Sequence, residues 1–413
     1  MKVLMVNDGH QGGSIVAMNR LHTGLKEAGV ETKILNRVNV LNSSDVIEVP
    51  HPRGIWRVES LLRKITWRLG LNDIHCLNTF WIKEMKPYVD ADILNLHTIH
   101  GGFFNYLALP TLTAKKPAIF SLHDMWSFTG HCSFSYDCDR WKIGCGKCPY
   151  PDINPPIRRD NTRLEWKLKN WAYTHSNLTI VTPSKWLTEQ AKESMLKYLP
   201  IHYIPHGVDI EVYRPLDREQ CRSMLGIAPN RRVLMFSAMN MNQSHSHSYR
   251  KGCDLLLAAL GGLPESLKTE CTLLLIGEGA APLAEAVGIK AVNLGYLSNE
   301  HMQAIAYSAA DLFLCPTRAE TFGLVLLESM ACGTPVVSFR VGPVPELVRP
   351  GVTGFLAEPE DAKSFRQGIV ALLEDDILRN NLRQKCRDIA VAEYSLDVQV
   401  QRYIKLYQDV LRN

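Results

Sequence analysis

Two glutamates stand eight residues apart in this chain, and their setting suggests chemistry on a ligand that carries hydroxyl groups. Glu320 and Glu328 lie in the stretch PTRAETFGLVLLE, which begins at Pro316. The apolar run 311–315 predicts a buried parallel strand, and the apolar spacing over 323–330 predicts a helix. Glu320 is therefore expected in a loop at the carboxyl end of a strand, where open α/β sheets bind their ligands. Glu328 is expected inside the helix, roughly a turn and a half beyond its start.

The start of this predicted helix is suited to an anion. Backbone N–H groups of Thr321, Phe322 and Gly323 face outward there, and Leu324 continues the same turn. Because unpaired N–H groups and the helix dipole both attract negative charge, a phosphate is favoured. A neighbouring carboxylate would repel that phosphate, but it can accept hydrogen bonds from the paired hydroxyls of a ribose or a sugar. The stretch therefore predicts a site for a ligand with both a phosphate and a sugar.

This arrangement resembles the E-x7-E motif of the retaining family 4 glycosyltransferases, which have the two-domain GT-B fold. In that family the first glutamate contacts the donor sugar and the second contacts the ribose of the nucleotide. The resemblance gives these roles to Glu320 and Glu328. On the motif alone, two solvated surface acids remain the alternative, because acids recur at this spacing by chance.

Length and composition predict two globular domains. A chain of 413 residues is too long for one ordinary core and suggests two domains of about 200 residues each. Hydrophobic content of 46% and charged content of 21% are those of a soluble protein. The net charge of +4 is too small to indicate nucleic acid as a partner. No apolar run approaches the ~20 residues of a membrane span, and the first residues enter a strand, so the chain is expected in the cytoplasm.

In the amino-terminal half, a predicted strand over 2–8 leads into a glycine-containing turn and a helix. Gly12, Gly13 and Ser14 open that helix. A glycine pair lets the backbone approach a ligand, although such a pair by itself more often makes a tight turn. The full G-x-G-x-x-G fingerprint is absent, so a dinucleotide is not indicated. The family resemblance implies donor contacts for Gly12 and Gly13 and an acceptor-side place for Ser14.

Two further predicted strands, 92–98 and 117–124, end in residues with titratable side chains. His97 and His100 lie at the end of the first, and His123 and Asp124 at the end of the second. A lone His-Asp pair is usually structural. The family, however, has a histidine at the end of such a strand, close to the donor sugar. The resemblance therefore implies a catalytic role for His123 and an acceptor-side place for His97, His100 and Asp124.

Residues 55–69 predict an amphipathic helix with an unusual polar face. Its apolar stripe consists of Ile55, Val58, Leu62, Ile65 and Leu69. The remaining face carries four basic residues, with two tryptophans at its edge: Arg57, Arg63, Lys64, Arg68, Trp56 and Trp67. Such a face is typical of a helix that rests on anionic lipid headgroups. A helix packed in the core with a solvated basic face explains the pattern equally well.

Four cysteines within 17 residues form the most unusual segment. Cys132, Cys138, Cys145 and Cys148 could hold a structural zinc ion, with His131 as a substitute ligand. A reducing cytoplasm argues against disulfides, and four free thiols remain the alternative, because the spacing is not a standard zinc pattern. A catalytic metal is not indicated, since no open-site histidine or carboxylate group accompanies the cysteines. A similar insert occurs in the branch of the family that acts in exopolysaccharide (colanic-acid-like) synthesis.

The carboxyl-terminal half repeats the alternation of strands and helices. The segment 206–209, HGVD, resembles the N-G-V-D segment at the family's domain junction, with His206 in place of Asn. Arg250 and Lys251 precede Gly252 at a predicted helix start. Two cations there oppose the helix dipole, so a diphosphate should compensate them, and a solvated basic pair is the alternative. Most family members carry an Arg just after the first strand of this half; it is absent here, and Arg250 is expected to replace it.

Other donor contacts are implied by the resemblance alone. Gly277 follows a predicted strand, as in the family's G-x-G segment under the nucleotide. Tyr296 and Leu297 resemble the turn whose backbone groups contact the base. His245 and His247 fall in a polar segment that predicts a mobile loop, where metal binding is a minor alternative.

The predicted fold is α/β of the GT-B type, with two Rossmann-like doubly wound parallel-sheet domains facing across a cleft. Residues 1–205 form the acceptor-side domain, with the Cys-rich insert at 131–149. Residues 206–390 form the nucleotide-sugar-binding domain. Residues 391–413 form a helix that crosses back to the first domain.

The resemblance implies a retaining hexosyltransferase with His123, Lys251 and Glu320 as catalytic residues. The donor is a UDP- or GDP-linked sugar, and the acceptor is a glycan or a lipid-linked oligosaccharide in bacterial surface polysaccharide synthesis. No cofactor is expected for catalysis, and no nucleic acid is expected as a partner. Helix 55–69 could bring the protein to the cytoplasmic membrane face. A GT-B sugar-nucleotide epimerase and a non-catalytic nucleotide-sugar-binding scaffold are the alternatives.

Overall fold

The computed structural model describes residues 1–8, 12–38, 43–50, 54–242 and 246–412. These residues fall into two compact units. Unit 1 comprises Met1–Pro205 together with Gln399–Asn413, and unit 2 comprises His206–Val398. Each unit contains a parallel sheet with helices around it. The predicted α/β class with two Rossmann-like parallel-sheet domains is confirmed.

The sheet of unit 1 has seven strands in the order β3-β2-β1-β4-β5-β6-β7. In the described residues these are β1 (Lys2–Val6), β2 (Glu31–Asn36), β3 (Val46–Glu48), β4 (Ile93–Leu96), β5 (Ala118–Ser121), β6 (Leu178–Thr182) and β7 (Ile201–Tyr203). The strand order reverses between β1 and β4, which pair directly with Val3 opposite Ile93. Ligands of open parallel sheets bind at the carboxyl ends of the strands beside such a reversal.

The helices of unit 1 connect these strands. They are α1 (Gly13–Glu27), α2 (Ile55–Arg68), α3 (Lys86–Asp90), α4 (Leu109–Thr113), α5 (Thr162–Thr174) and α6 (Lys185–Glu193). All four residues of β4 and of β5 are buried, and these strands are mostly branched or apolar, as in a sheet covered on both faces. Large aromatic side chains, including Tyr106, Trp126 and Phe128, fill the core beside them.

The sheet of unit 2 has six strands in the order β10-β9-β8-β11-β12-β13. They are β8 (Arg232–Asn240), β9 (Cys271–Glu278), β10 (Lys290–Asn293), β11 (Leu312–Cys315), β12 (Val336–Phe339) and β13 (Gly354–Ala357). Its helices are α7 (Arg218–Met224), α8 (Ser246–Lys251), α9 (Cys253–Gly261), α10 (Glu265–Glu270), α11 (Ala281–Val287), α12 (Glu300–Ala309), α13 (Leu324–Ala331), α14 (Val344–Leu347), α15 (Ala362–Glu374) and α16 (Asp376–Tyr394). Here the order reverses between β8 and β11.

The last helix, α17 (Leu396–Arg412), joins unit 1 from Gln399 onward. Its Tyr403 hydroxyl lies 2.9 Å from the hydroxyl of Ser121, at the end of β5. Its Tyr407 hydroxyl accepts a hydrogen bond of 2.8 Å from the Asn95 amide in β4. Both tyrosines are buried, so the helix covers the middle strands of this sheet with its aromatic side chains.

Two features differ in detail from the sequence prediction. β4 and β5 end at Leu96 and Ser121, so His97 and His123 follow the strands rather than form their last residues. In α2, the buried edge consists of Glu59 and Thr66, whereas Val58 and Ile65 of the apolar stripe, and Leu69 directly after the helix, are exposed, so the stripe is not packed in a core. The Glu59 carboxylate on that edge accepts a hydrogen bond of 2.8 Å from the Asn78 backbone N–H. In the described residues, no helix has both the length and the apolar character needed to cross a bilayer.

Candidate functional site

The ligand edge of unit 2 contains a carboxylate between two cations. Glu320 lies in the loop after β11, and its Oε1 is 2.5 Å from Lys251 Nζ and 3.4 Å from Arg250 Nη1. The three residues therefore meet beside the reversal of strand order between β8 and β11, where ligands of such sheets bind. Glu320 is only 8% exposed. A buried carboxylate needs such partners, because an unpaired buried charge is costly.

The electrostatics keep Glu320 ionised. Burial alone would raise the pKa of the Glu320 carboxyl, but the positive charges of Lys251 and Arg250 outweigh it and lower that pKa. With both cations charged, the group carries a net charge of one positive unit. A group of this kind can attract an anion such as a diphosphate and still present a carboxylate oxygen to a hydroxyl.

The two cations occupy a different position from the one predicted. Arg250 and Lys251 form the last turn of α8, rather than the start of the next helix, so the helix dipole favours them. Gly252, with a φ of 70°, then precedes α9. A Cβ atom at this glycine would lie 1.8 Å from the Pro316 carbonyl oxygen. The close approach that glycine permits is what brings α8 against the loop that carries Glu320.

Arg318 holds this loop in place, and the sequence analysis missed it. Its guanidinium donates two hydrogen bonds, of 2.8 and 2.7 Å, to the Asp254 carboxylate. It also contacts Glu360 at 2.9 Å and stacks on the Tyr249 ring at 4.0 Å. The Arg318 backbone N–H donates to the Arg250 carbonyl at 2.8 Å. The only signal in the sequence is its position two residues before Glu320, since its partners lie far away along the chain.

The residues after Glu320 form a packed helix start. Gly323, with a φ of 99°, precedes α13, and Leu324 is the first residue of that helix. Thr321 and Phe322 are buried, and the Phe322 ring meets the edge of the His206 ring at 5.1 Å between centroids. Because its ring is packed in this way, Phe322 can contact a ligand only through its backbone. Its N–H group directly precedes α13, a helix of eight residues.

Glu328 lies within α13, as predicted, and is buried. One of its carboxylate oxygens accepts a hydrogen bond of 3.3 Å from the hydroxyl of Tyr307 in α12. Burial, followed by the Glu328 charge, raises the pKa of the Tyr307 hydroxyl well above its usual value, so the tyrosine remains a donor.

Of the three other predicted donor residues, Gly277 lies in β9, whereas Tyr296 and Leu297 lie in the loop after β10. Gly277, with a φ of 135°, is in β9, and a Cβ atom there would lie 1.7 Å from the Ala238 carbonyl oxygen. A glycine is thus needed at position 277 for packing, whether or not this residue contacts a ligand. Tyr296 is 47% exposed, and the Leu297 carbonyl accepts a hydrogen bond of 2.7 Å from the Gln303 amide. Tyr296 therefore has an exposed ring, whereas the Leu297 backbone is already engaged.

The sequence analysis predicted that His247 lies in a mobile loop, and this prediction is wrong. It lies in α8, one turn before Arg250 and Lys251. Burial, and then the charges of those two cations, lower the pKa of the His247 ring to about 3, so the ring is neutral. His245 lies outside the described residues.

In unit 1, the four predicted side chains after β4 and β5 come together. His97 Nδ1 lies 2.9 Å from His123 Nε2, with the two rings stacked, and one ring N–H donates to the other ring. His100 Nε2 lies 2.9 Å from an Asp124 carboxylate oxygen. The other Asp124 oxygen accepts a hydrogen bond from the Trp126 backbone N–H. These residues line one small cavity.

The pair His97–His123 and the pair His100–Asp124 differ in the charge of their histidines. Burial, reinforced by the His100 charge, lowers the pKa of His123 to about 4, although Asp124 opposes this. Burial would also lower the pKa of His100, but the charge and hydrogen bond of Asp124 outweigh it and raise that pKa. At neutral pH the cavity therefore contains a neutral His123, which can exchange hydrogen bonds with hydroxyls, next to an ion pair of His100 and Asp124.

Asp73 supports this cluster and was not predicted. It is buried, and its carboxylate accepts a hydrogen bond of 2.5 Å from the backbone N–H of Gly102, two residues after His100. Burial raises the pKa of the Asp73 carboxyl, although the His100 charge opposes this. On the other side of the same turn, Arg37 donates to the Gly101 carbonyl at 3.3 Å. No local sequence signal separates Asp73 from an ordinary loop aspartate.

The remaining predicted residues of unit 1 occupy two separate places. Gly12, with a φ of 141°, precedes α1, and Gly13 and Ser14 form the first turn of that helix. The turn follows β1, on the side of the sheet where the strand order reverses. Cys132, Cys138, Cys145 and Cys148 surround a second cavity, together with His131. None of the four forms a disulfide in the structure.

The comparisons with known proteins agree with this architecture. Residues 11–212 match the family model described as Glycosyltransferase Family 4, and residues 242–389 match the model described as Glycosyl transferases group 1. Sucrose-phosphate synthase from Thermosynechococcus elongatus has a TM-score of 0.71 at 18% identity, over 100% of this chain and 99% of its own. HepE (Alr3699) from Anabaena in complex with UDP has a TM-score of 0.70 at 17% identity, over 99% of both chains.

Two Rossmann-like domains of this kind define the GT-B fold class. Residues 11–212 and 242–389 are thus similar to domains of the two named glycosyltransferase families. D-inositol 3-phosphate glycosyltransferase 1 from Catenulispora acidiphila is 32% identical over 225 residues, which are 51% of this chain and 52% of that protein. The chain thus matches about half the length of this curated relative.

The charge difference between the two histidine pairs can be tested directly. In a pH titration of ring-labelled protein by NMR, we expect His123 to remain neutral down to about pH 5, since its pKa is about 4. We expect His100 to remain protonated above pH 6.5. Because the folded pKa of His123 lies below the unfolded value of 6.5, its effect is to reduce the free energy of unfolding as the pH falls from 6.5 to 4.

The variants His123→Gln and His100→Gln assign the two signals. The His100 contribution has the opposite sign: it is fully present below pH 6.5 and is lost as the pH rises through the folded pKa. A His123 signal that titrates near pH 6.5 would contradict the neutral assignment.

Proposed function

We propose that this protein is a retaining glycosyltransferase that transfers a hexose from a UDP- or GDP-linked sugar. The observation that carries the proposal is the contact of Arg250 and Lys251 with the buried carboxylate of Glu320. It lies beside the reversal of strand order in unit 2, next to the start of α13. A diphosphate is the anion that best matches two adjacent cations and a helix start, and a sugar supplies the hydroxyls that a carboxylate accepts.

The donor roles follow from this chemistry. Arg250 and Lys251 bind the diphosphate, together with backbone N–H groups at Thr321, Phe322 and Gly323. Glu320 accepts hydrogen bonds from hydroxyls of the transferred sugar, because it is held ionised and faces the cations. Leu324 continues the helix start, Glu328 binds the ribose, and Gly12, Gly13, Gly277, Tyr296 and Leu297 complete the donor contacts.

The proposed mechanism uses no protein nucleophile. When the bond between the sugar and the diphosphate breaks, negative charge develops on the leaving diphosphate. Lys251 and Arg250 are already fixed in place by Glu320, so they stabilise this charge without reorganising. The leaving phosphate then takes the proton of the acceptor hydroxyl, which attacks from the same face and retains the configuration. Neutral His123 donates or accepts one hydrogen bond at the sugar.

The acceptor is the least constrained part of the proposal. We propose a glycan or a lipid-linked oligosaccharide of a bacterial surface polysaccharide, of the exopolysaccharide type. His97, His100, Asp124 and Ser14 are the acceptor-side residues. Two observations support this choice: the cysteine-rich segment, which resembles that branch of the family, and the exposed face of α2, discussed below. The curated relative acts on D-inositol 3-phosphate by its name, so a small phosphorylated acceptor is the main competitor.

Glu320→Gln tests the sugar contact. The substitution removes the negative charge but leaves both cations in place. We expect turnover of the nucleotide sugar, measured as release of nucleoside diphosphate, to fall by about two orders of magnitude, as when one transition-state contact is removed. Affinity for the diphosphate itself should remain within about threefold, since the neutral amide does not compete for the cations.

Glu374→Gln, at the exposed end of α15, is the matched control and should retain native turnover. An equal loss of turnover and diphosphate affinity in Glu320→Gln would move this residue away from the sugar. Turnover of the donor to an isomeric nucleotide sugar, without any acceptor, would instead identify an epimerase.

We further propose that α2 binds the surface of an anionic phospholipid bilayer at the cytoplasmic membrane face. Its apolar side chains are unusually exposed, with Trp56 at 62% and Leu61 at 60%. Its exposed basic residues are Arg57, Arg63, Lys64 and Arg68. Glu59, the single acidic residue of this helix, is buried against the Asn78 backbone.

The charge and the exposure of α2 favour lipid over other occupants. Exposed tryptophan and leucine between arginines match the boundary between headgroups and acyl chains. Each basic residue near an anionic surface contributes about 1 kcal/mol of binding free energy. The Arg158 guanidinium stacks on the Trp67 ring at 4.1 Å, which adds a cation to the same surface. At this surface the protein would encounter a lipid-linked acceptor.

Sedimentation with lipid vesicles tests the bilayer proposal. We expect the protein to bind vesicles that contain phosphatidylglycerol, and not vesicles of phosphatidylcholine alone. The variant Arg57→Glu/Arg63→Glu/Lys64→Glu should lower binding at least tenfold, since three favourable charges become unfavourable. Trp56→Ser/Leu61→Ser should lower it by removing the inserted apolar area.

The matched control is Lys290→Glu/Lys363→Glu/Lys385→Glu, which changes the net charge equally at exposed positions of unit 2. This control should bind nearly as well as the native protein. If it lost binding as strongly as the α2 variant, general charge would explain the effect. If the native protein failed to bind anionic vesicles, the role of α2 at a membrane would be wrong.

A further inference from the structure

The four clustered cysteines and His131 line one pocket in unit 1. All four thiols are partly exposed rather than sealed in the core, in contrast with the chain's other cysteines, which are buried. A ligand of sulfur-seeking chemistry could therefore reach them.

His131 is oriented as a metal ligand would be. Its ring is buried, at 1% exposure, and its Nδ1 lies 2.9 Å from the Pro155 carbonyl oxygen. A carbonyl only accepts, so Nδ1 must carry the hydrogen, and Nε2 then keeps its lone pair. Nε2 lies 3.2 Å from the Cys148 sulfur. Metal-binding histidines commonly have this arrangement, with one ring nitrogen anchored to a carbonyl and the other facing the metal.

The turn that carries Cys145 and Cys148 is held in an unusual conformation. Cys145 and Lys147 have φ values of 56° and 53°, a region that residues with side chains seldom adopt. The Cys145 sulfur accepts a hydrogen bond of 3.2 Å from the Gly130 backbone N–H. The Cys148 backbone N–H donates to the Asp160 carboxylate at 2.7 Å. The surrounding structure thus fixes both ends of this C-x2-C turn.

In the part of the chain that the structure describes, no three His, Cys, Asp or Glu side chains already converge as a set of metal ligands. A metal would therefore have to draw these side chains together. Rotation about Cα–Cβ is enough to move a thiol by a few ångströms, and the open cavity leaves room for it.

We propose that this cavity binds one structural zinc ion, through Cys145, Cys148 and two of the other three donors. Thiolates with one imidazole in a tetrahedral set favour zinc over harder cations. Each ligating thiol loses its proton to solvent as its sulfur binds the metal, and no electron is transferred. The binding goes beyond the proposed transfer reaction, because no substrate atom takes part.

A zinc ion here would also stabilise the histidine cavity of unit 1. The Met125 backbone N–H donates to the Ser133 carbonyl at 2.9 Å, which ties the cysteine segment to the turn after Asp124. Lys169, buried under this turn, donates to the carbonyls of Trp126 and Thr129 at 2.8 and 3.2 Å. The metal is thus a brace for the segment that positions Asp124 and, through it, His100.

Metal analysis of the full chain, purified without a metal-affinity tag, tests the proposal. We expect about one zinc ion per chain that survives dialysis, as for other structural sites with high affinity. Cys148→Ser should lose it, whereas Cys76→Ala, which removes a buried thiol elsewhere in unit 1, should retain it.

A second measurement uses only the native protein, so it does not depend on whether the cysteine variants fold. Replacement of zinc by Co²⁺ in the native protein should give the intense visible bands of tetrahedral cobalt and the near-ultraviolet band of cobalt–thiolate bonds. Absence of zinc from native protein together with absence of these bands would overturn the proposal. Zinc that is lost on dialysis, or that Cys148→Ser retains, would identify an adventitious ion only and would overturn it as well. Neither result bears on nucleotide binding, so the two proposals fail separately.

Discussion

Burial of an ionised carboxylate is costly, and at Glu320 this cost is offset by two cations from a different part of the chain. Lys251 and Arg250 end α8, whereas Glu320 follows β11, and about 70 residues separate them in sequence. Their contact joins the two connections that flank the reversal of strand order in unit 2. Removing the cations would leave the buried Glu320 carboxylate without its compensating charges, so the ligand edge and the packing beneath it depend on the same interaction.

The rest of unit 2 is arranged so that this contact can form. Gly252 permits α8 to approach the Pro316 carbonyl, and a side chain there would separate the cations from Glu320. Arg318 then fixes the loop through the Asp254 carboxylate and the Tyr249 ring. Because these groups are held before any ligand arrives, little reorganisation is needed when charge develops on a leaving diphosphate. In unit 1, Asp73 plays a comparable positioning part for the turn that follows His100.

The fold and part of the site could be predicted from the sequence because they depend on local patterns. Apolar runs and helix periodicity give the parallel strands, and from these the loop position of Glu320 and the helical position of Glu328 follow. Positions that depend on distant partners could not be predicted. Arg318 and Asp73 look like ordinary polar residues until the fold brings Asp254 and Gly102 to them. The inward turn of Glu59 in α2, against the apolar stripe, has the same origin, since Asn78 is 19 residues away.

The most direct test of the account is calorimetric titration of the full chain with UDP, GDP, ADP and TDP, without added metal. The account predicts that one diphosphate binds and that Lys251→Ala weakens it at least tenfold, which is about 1.4 kcal/mol or more, because a charge-assisted contact is lost. Lys251→Arg, which keeps the charge, should lose less, and Lys290→Ala, at an exposed position of β10, should bind as the native protein does. Binding of no diphosphate, or equal affinity in Lys251→Ala and the native protein, would contradict the proposed donor site.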